Sequence, residues 1–202
     1  MKFGLLVCAA MAVAPIASAQ NLIINGSFED SSLNPGGGWI PVGGGSGAID
    51  GWTTIGNGVD YMGTLWPAAE GVRCLDINNV APGGVFQSFA TTAGRTYTVT
   101  FAMSANMFGG PALKTMDVSA GGSVASFEFD YVAEGATSTD PKWTYHEWQF
   151  VATGSVTTLE FASTTAGSVY GPAIDDIVVI PTPGSIALMA LGLAGIGLRR
   201  RG

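Results

Sequence analysis

One histidine, fifteen acids and two cysteines are what this 202-residue chain offers to covalent or acid–base chemistry. His146 stands alone, so no histidine pair is available to hold a catalytic zinc. No Ser or Cys sits in a nucleophile-elbow context. A pair of carboxylates could hydrolyse a glycoside, but nothing in their spacing singles one pair out. Cys74, in "RCLDI", reads as a small buried apolar residue. Cys8 follows Leu5-Leu6-Val7 rather than the small residues of a lipid-attachment site. These residues point to binding without catalysis. Sugar recognition needs an aromatic face against the C–H side of the ring and planar polar groups around it. Trp39, Trp52, Tyr61, Trp66 and Trp143 fall in predicted loops or strand ends, where binding residues collect. Asn57, Asp60, Asn78, Asn79 and Gln87 could supply the hydrogen bonds. Trp52, Tyr61, Trp66 and Trp143 are the carbohydrate-binding candidates. The competing expectation is that these rings plug the ends of the fold, as large, seldom fully exposed side chains do. Trp148 is expected in the core.

The elements that would carry these residues are strands. In "RTYTVTFAM" Tyr97, Val99, Phe101 and Met103 alternate with Thr96, Thr98, Thr100 and Ala102. "SFEFDY", "HEWQFVA" and "VTTLEFAS" alternate in the same way, and place Phe127, Phe129 and Tyr131, Trp148 and Phe150, and Leu159 and Phe161 inward. This is the pattern of half-buried antiparallel strands. About ten such strands, punctuated by Gly, Pro, Asn and Ser, and no amphipathic helix predict an all-β sandwich. "PGGGWIPVGGGSG" (35–47) reads as a mobile loop, without the Lys and following helix of a phosphate-binding loop.

The two ends read as addresses. "MKFGLLVCAAMAVAPIASAQ" has Lys2, an apolar stretch and Ala17-Ser18-Ala19, the parts of a secretory signal peptide over 1–19. The β-domain is then 20–180, and 181–202 is a tail of prolines, an apolar run and three arginines. That run, Ile186 to Leu198, is 13 residues, against roughly 20 for a helical span. Arg199, Arg200 and Arg201 would hold the C-terminus on the cytoplasmic side. A transient membrane segment is expected in preference to a permanent anchor, with Pro181-Thr182-Pro183 as an extended, accessible spacer for cleavage. Between the ends, Arg73, Arg95, Lys114 and Lys142 face all fifteen acids, a formal charge of −11. Such a surface repels nucleic acid and anionic lipid and suits a neutral ligand or cations. With Cys74 the domain's only cysteine, an internal disulfide is impossible.

Several stretches carry family resemblances. Pro181 and Pro183, the Gly-rich apolar run and the terminal arginines resemble the PEP-CTERM sorting signal, with Thr182 where that family usually has Glu. The resemblance implies an exosortase-type processing enzyme as a partner. "NLIINGSFED" at the start and "YGPAIDDIVVI" at the end resemble galactose-binding-like carbohydrate-binding modules, which implies a jelly-roll β-sandwich. It also implies a structural Ca²⁺ site, with Glu29 and Asp175 as ligands and Asp176 as the less certain third. Ca²⁺ takes six to eight oxygens, and an ion bound only by the folded form would stabilise a domain without disulfides. On strand parity Asp175 groups with Ile177 and Val179, and Asp176 with Val178 and Ile180. "VDYMGTLWPAAEGVRCLDINN" (59–79), "PGGVFQSFAT" (82–91), "GGPALKTMDV" (109–118) and "YGPAIDD" (170–176), in that order, resemble the choice-of-anchor C family of exported bacterial β-domains. That family implies a surface or matrix protein with polysaccharide contact. A structural or adhesive protein-binding domain is the alternative, and a glycoside hydrolase the more remote one.

Overall fold

The structure, a computed structural model, describes residues 20–183. The signal peptide expected over 1–19 and the apolar run with its arginines lie outside the described residues. Two antiparallel sheets face each other. The first holds six strands in the order β1 (Trp39–Val42), β3 (Val59–Met62), β4 (Cys74–Asp76), β11 (Pro172–Pro181), β6 (Thr96–Ala105), β9 (Thr144–Val151). The second holds five, in the order β2 (Thr53–Gly56), β5 (Gly83–Ala90), β10 (Val156–Ser163), β7 (Leu113–Ala120), β8 (Ser123–Asp130). This is the expected all-β jelly-roll sandwich. Among the described residues no helix is long and apolar enough to cross a membrane.

Period-two alternation sets the faces. Tyr97, Val99, Phe101 and Met103 of β6 and Leu159 and Phe161 of β10 are buried between the sheets, as their parity predicts. Trp148 is only half-buried: it sits on β9, an edge strand whose cover thins toward the rim. His146 stands on the same face, stacked on Phe101 at 5.4 Å and edge-on to Phe127 at 5.1 Å. The Gly-rich stretch 35–47, read as a mobile loop, contains β1. It pairs with β3 as an edge strand, the position in which Pro41's missing N–H is tolerated.

The last strand departs from simple parity. Between Asp175 and Val178 its register against β6 slips, a β-bulge with Asp176 at φ 47°. One extra residue flips the faces, so Asp175 lies opposite Ala102 on the outside while Ile177 and Val179 return to the core. The expected grouping of Asp175 with Ile177 and Val179 is therefore wrong by one bulge.

A second, smaller apolar cluster covers the outer face of the six-stranded sheet. Met62 and Cys74, directly opposed on β3 and β4, pack with Trp66 beneath the β3–β4 loop. Leu65, Met107 and Trp143 close around them.

Candidate functional site: a groove on the outer sheet face

Beside this cluster the outer face opens into a cavity of about 600 Å³. Strand alternation delivers its floor. Pro41, Asp60 and Asp76 oppose one another across β1, β3 and β4, and all three project away from the core. Trp39 enters from β1, Leu65 and Trp66 from the β3–β4 loop, and Phe108 and Tyr170 from the β6–β7 and β10–β11 loops. Trp39 is 55 % and Phe108 51 % exposed. Trp66 is buried and braces Phe108 from below, ring centroids 5.7 Å apart. Its indole N–H donates to Cys74 Sγ at 3.2 Å.

Two acids stand here in different states, Asp60 in the lining and Asp76 beneath it. Asp60 lines the groove half-buried, and burial alone pushes its carboxyl up to about 6. Asp76 is completely buried. Burial pushes it up to about 7, against the lowering effect of the hydrogen bonds it accepts from Asn78, Asn106 and Gly171. Asp60 is the only acid in the lining.

The residues expected to bind sugar divide. Trp66 reaches the groove as part of its wall. Trp52 and Tyr61 do not: both are core residues with no face left for a ligand. Trp52 packs on Phe28 at 5.3 Å and donates its indole N–H to Asn25 O at 2.9 Å. Tyr61 donates its hydroxyl to Phe28 O at 2.7 Å. Trp143 is half-buried, spends its N–H on Pro67 O at 2.9 Å, and packs against the second cluster outside the groove. Gln87 is buried and clasps the backbone of Ile24 with both ends of its amide. Of the aromatic residues that do present faces, Trp39 was among those expected in loops or strand ends, and Phe108 lay in a short loop with no periodic pattern to mark it. Its signal was the negative one, a large apolar side chain among turn residues.

The opening and closing motifs converge on one loop. Glu29 Oε1 accepts the N–H groups of Val72 and Arg73 at 2.6 and 2.7 Å. Asp175 Oδ2 accepts those of Ala69 and Glu70 at 2.7 and 2.9 Å, and its Oδ1 accepts that of Asp176 at 2.7 Å. Burial pushes Asp175 up to about 7, opposed by these same donors. Asp176 Oδ2 accepts the Tyr145 hydroxyl at 2.8 Å. The donors fit Ca²⁺ in kind, being hard oxygens gathered from both ends of the chain onto one loop. Among the described residues no three His, Cys, Asp or Glu side chains converge, and Glu29 Oε1, both Asp175 oxygens and Asp176 Oδ2 accept hydrogen bonds from the protein. What the geometry contains is a latch that holds the loop carrying Leu65 and Trp66 against the sheet.

The family described as "Protein of unknown function (DUF642)" matches residues 21–180. The chain belongs to that family. A PEP-CTERM protein-sorting motif matches residues 179–201. The DUF642 match covers the stretch on which the choice-of-anchor C resemblance rested. Halomucin of Haloquadratum walsbyi is 28 % identical over 168 residues, 81 % of this chain but 2 % of that far longer protein. Among solved structures, an arabinose-bound α-L-arabinofuranosidase superposes with TM-score 0.53 at 14 % identity, over 82 % of this chain and 27 % of that one. This likeness bears on the fold. A family 16 carbohydrate-binding module matches more loosely, with TM-score 0.47 and 18 % identity, over 79 % of this chain and 99 % of the module.

Proposed function

We propose that this DUF642 domain is an exported, non-catalytic binding module that takes a segment of neutral polysaccharide in the groove between Trp39 and Phe108. One observation carries the reading: two half-exposed aromatic rings line a groove with a carboxylate that accepts no hydrogen bond from the described residues. The rings offer apolar faces to sugar C–H groups, and Asp60 accepts from hydroxyls. A formal charge of −11 over 20–180 disfavours acidic glycans. A glycosidase needs two carboxylates flanking the bond. The groove lining holds one, and Asp76 beneath it is sealed off by three donors, which supports binding over hydrolysis. The PEP-CTERM motif supports export and handling by an exosortase-type enzyme.

Glycan-array screening of the purified protein, followed by calorimetry on the best neutral hit, tests the proposal. Trp39→Ala should weaken binding by about 30-fold, the loss of an aromatic anchor worth roughly 2 kcal/mol. Trp52→Phe, a change in the core, should leave affinity intact. Binding only to proteins would favour the adhesive alternative. No glycan binding, or binding indifferent to Trp39, would reject the groove.

A further inference from the structure

Lys114 is an anomaly of position. It lies on the core-facing parity of β7, in step with Met116 and Val118, and is completely buried. Yet it has no carboxylate within ion-pair distance: the salt bridge among the described residues is Lys142 with Asp140. Its ammonium instead donates to two backbone carbonyls, Gly109 O at 2.8 Å and Tyr170 O at 2.7 Å. Rings of Tyr131 and Tyr170 lie 5.7 and 6.0 Å from it.

Asp76 approaches the same two loops from the other sheet. Its carboxylate accepts Gly171 N–H at 3.0 Å and Asn106 Nδ2 at 2.7 Å, besides Asn78 N–H at 2.8 Å. Tyr170 C=O and Gly171 N–H belong to one peptide group. That peptide is therefore held with its oxygen on a buried ammonium and its N–H on a buried carboxyl group, its dipole aligned between the two. The β6–β7 loop is gripped in the same manner, through Asn106 on Asp76 and Gly109 on Lys114. The two loops also touch directly. A Cβ on Gly109 would lie 2.1 Å from the Tyr170 ring, and one on Gly171 2.5 Å from Asp76 Oδ1, so neither glycine admits a side chain without movement. These loops carry Phe108, Val169 and Tyr170, one side of the groove.

We propose that Asp76 and Lys114 are a positioning pair: a buried carboxyl group and a buried ammonium that act through one shared peptide and set both loops at the rim of the groove together. Neither touches a ligand. The pairing explains why a lysine occupies a core position and why its partners are carbonyls rather than an acid.

Hydrogen exchange of the full chain tests this without any ligand, so its outcome is independent of the polysaccharide reading. Lys114→Met keeps the stem and removes both donated bonds. It leaves the acceptor of Gly171 N–H untouched, yet that amide should exchange at least about tenfold faster relative to the Val99 and Phe101 amides of β6, the scale of a lost bond to a charged group. Asp76→Asn should do the same to Phe108 N–H, which is bonded to Asn106 Oδ1 rather than to Asp76. In the double variant the two effects should combine less than additively, because they act on one unit. The proposal falls if Gly171 N–H in Lys114→Met keeps its protection, or if it accelerates only in step with Val99. It falls too if either variant loses its β-sheet circular dichroism, since a rim clamp leaves the two-sheet core standing. A final arm rests on the proposed function: both variants should weaken binding of the neutral glycan while Trp39 stays in place.

Discussion

Gly26, inside the opening "NGSF", shows how a single residue can tie the chain's two ends together. A Cβ there would lie 2.0 Å from the carbonyl oxygen of Ile177, with backbone and not a movable side chain in the way. Gly26 O also accepts the Ile177 N–H at 3.0 Å, which secures the bulge of β11. Asn25 turns the chain at φ 54° and donates its amide to Asp30 O and Asp50 O. Gly26→Ala is therefore expected to cost on the order of 3 kcal/mol or to abolish folding. Gly43→Ala, whose Cβ meets nothing and whose φ is ordinary, should be near neutral. Chemical denaturation of the two variants checks the contrast. Thermal melts of the unmodified domain address the Ca²⁺ site expected from the sequence. An ion shared by Glu29, Asp175 and Asp176 requires melting to rise in millimolar Ca²⁺, and Glu29→Ala to erase that rise. Coincident curves in Ca²⁺ and EDTA leave the hydrogen-bonded latch as the whole role of these acids.

At the scale of elements, β11 decides where the domain ends. Pro181 pairs in register with Tyr97, and Thr182 donates its N–H to Thr96 O at 3.0 Å. The Thr182 and Thr98 hydroxyls lie 2.9 Å apart. The spacer expected to be freely accessible is thus extended but partly sewn to β6, because Pro181 needs no ladder donor and Thr182 supplies one. A processing enzyme that needs an unpaired strand should cut at or beyond Pro183. Intact-mass analysis of the protein from its native host should find a mature chain that retains Thr182. A C-terminus before Pro181 would mean the last strand unzips during sorting.

The whole molecule carries an unusual proton ledger. Asp60, Asp76 and Asp175 have folded-state values of about 6, 7 and 7, all raised by burial above the unfolded 3.8. A raised carboxyl binds its proton more tightly in the folded state. Its stabilising contribution is complete below pH 3.8 and is lost as pH rises through about 6 to 7. Lys114, pushed down by burial to about 8 from 10.5, acts the other way only above pH 8. Relief of the net negative charge adds to the acid trend. Calorimetric melts across pH 4.5 to 8 should show the melting temperature falling by several degrees as pH rises, and levelling beyond pH 8. A melting temperature that instead rises from pH 4.5 to 8 would show that these acids ionise freely in the folded protein.

Period-two alternation is a local property, so the sandwich, the inward faces of β6 and β10 and the core role of Phe101 and Phe161 were legible from the sequence by itself. So were the net negative charge and the sorting motif at the C-terminus, because each is read from the residues without their contacts. What the tertiary structure decided depends on contacts between distant segments. One extra residue at the β11 bulge reversed the face of Asp175, and no local pattern announces a bulge. Trp52 and Trp39 are alike in sequence as aromatic residues near turns. One faces the space between two sheets and the other an uncovered edge, and only strand order assigns those places. Glu29 and Asp175 were expected to share an ion, and sequence alone did not show that both accept N–H groups of one loop, some forty and one hundred residues away. Lys114 could have been flagged as a charge on a core-facing parity. That its counterpart is Asp76, reached through the peptide of Tyr170 and Gly171, is a matter of three segments meeting in space, where burial makes each charge depend on the hydrogen bonds the others supply.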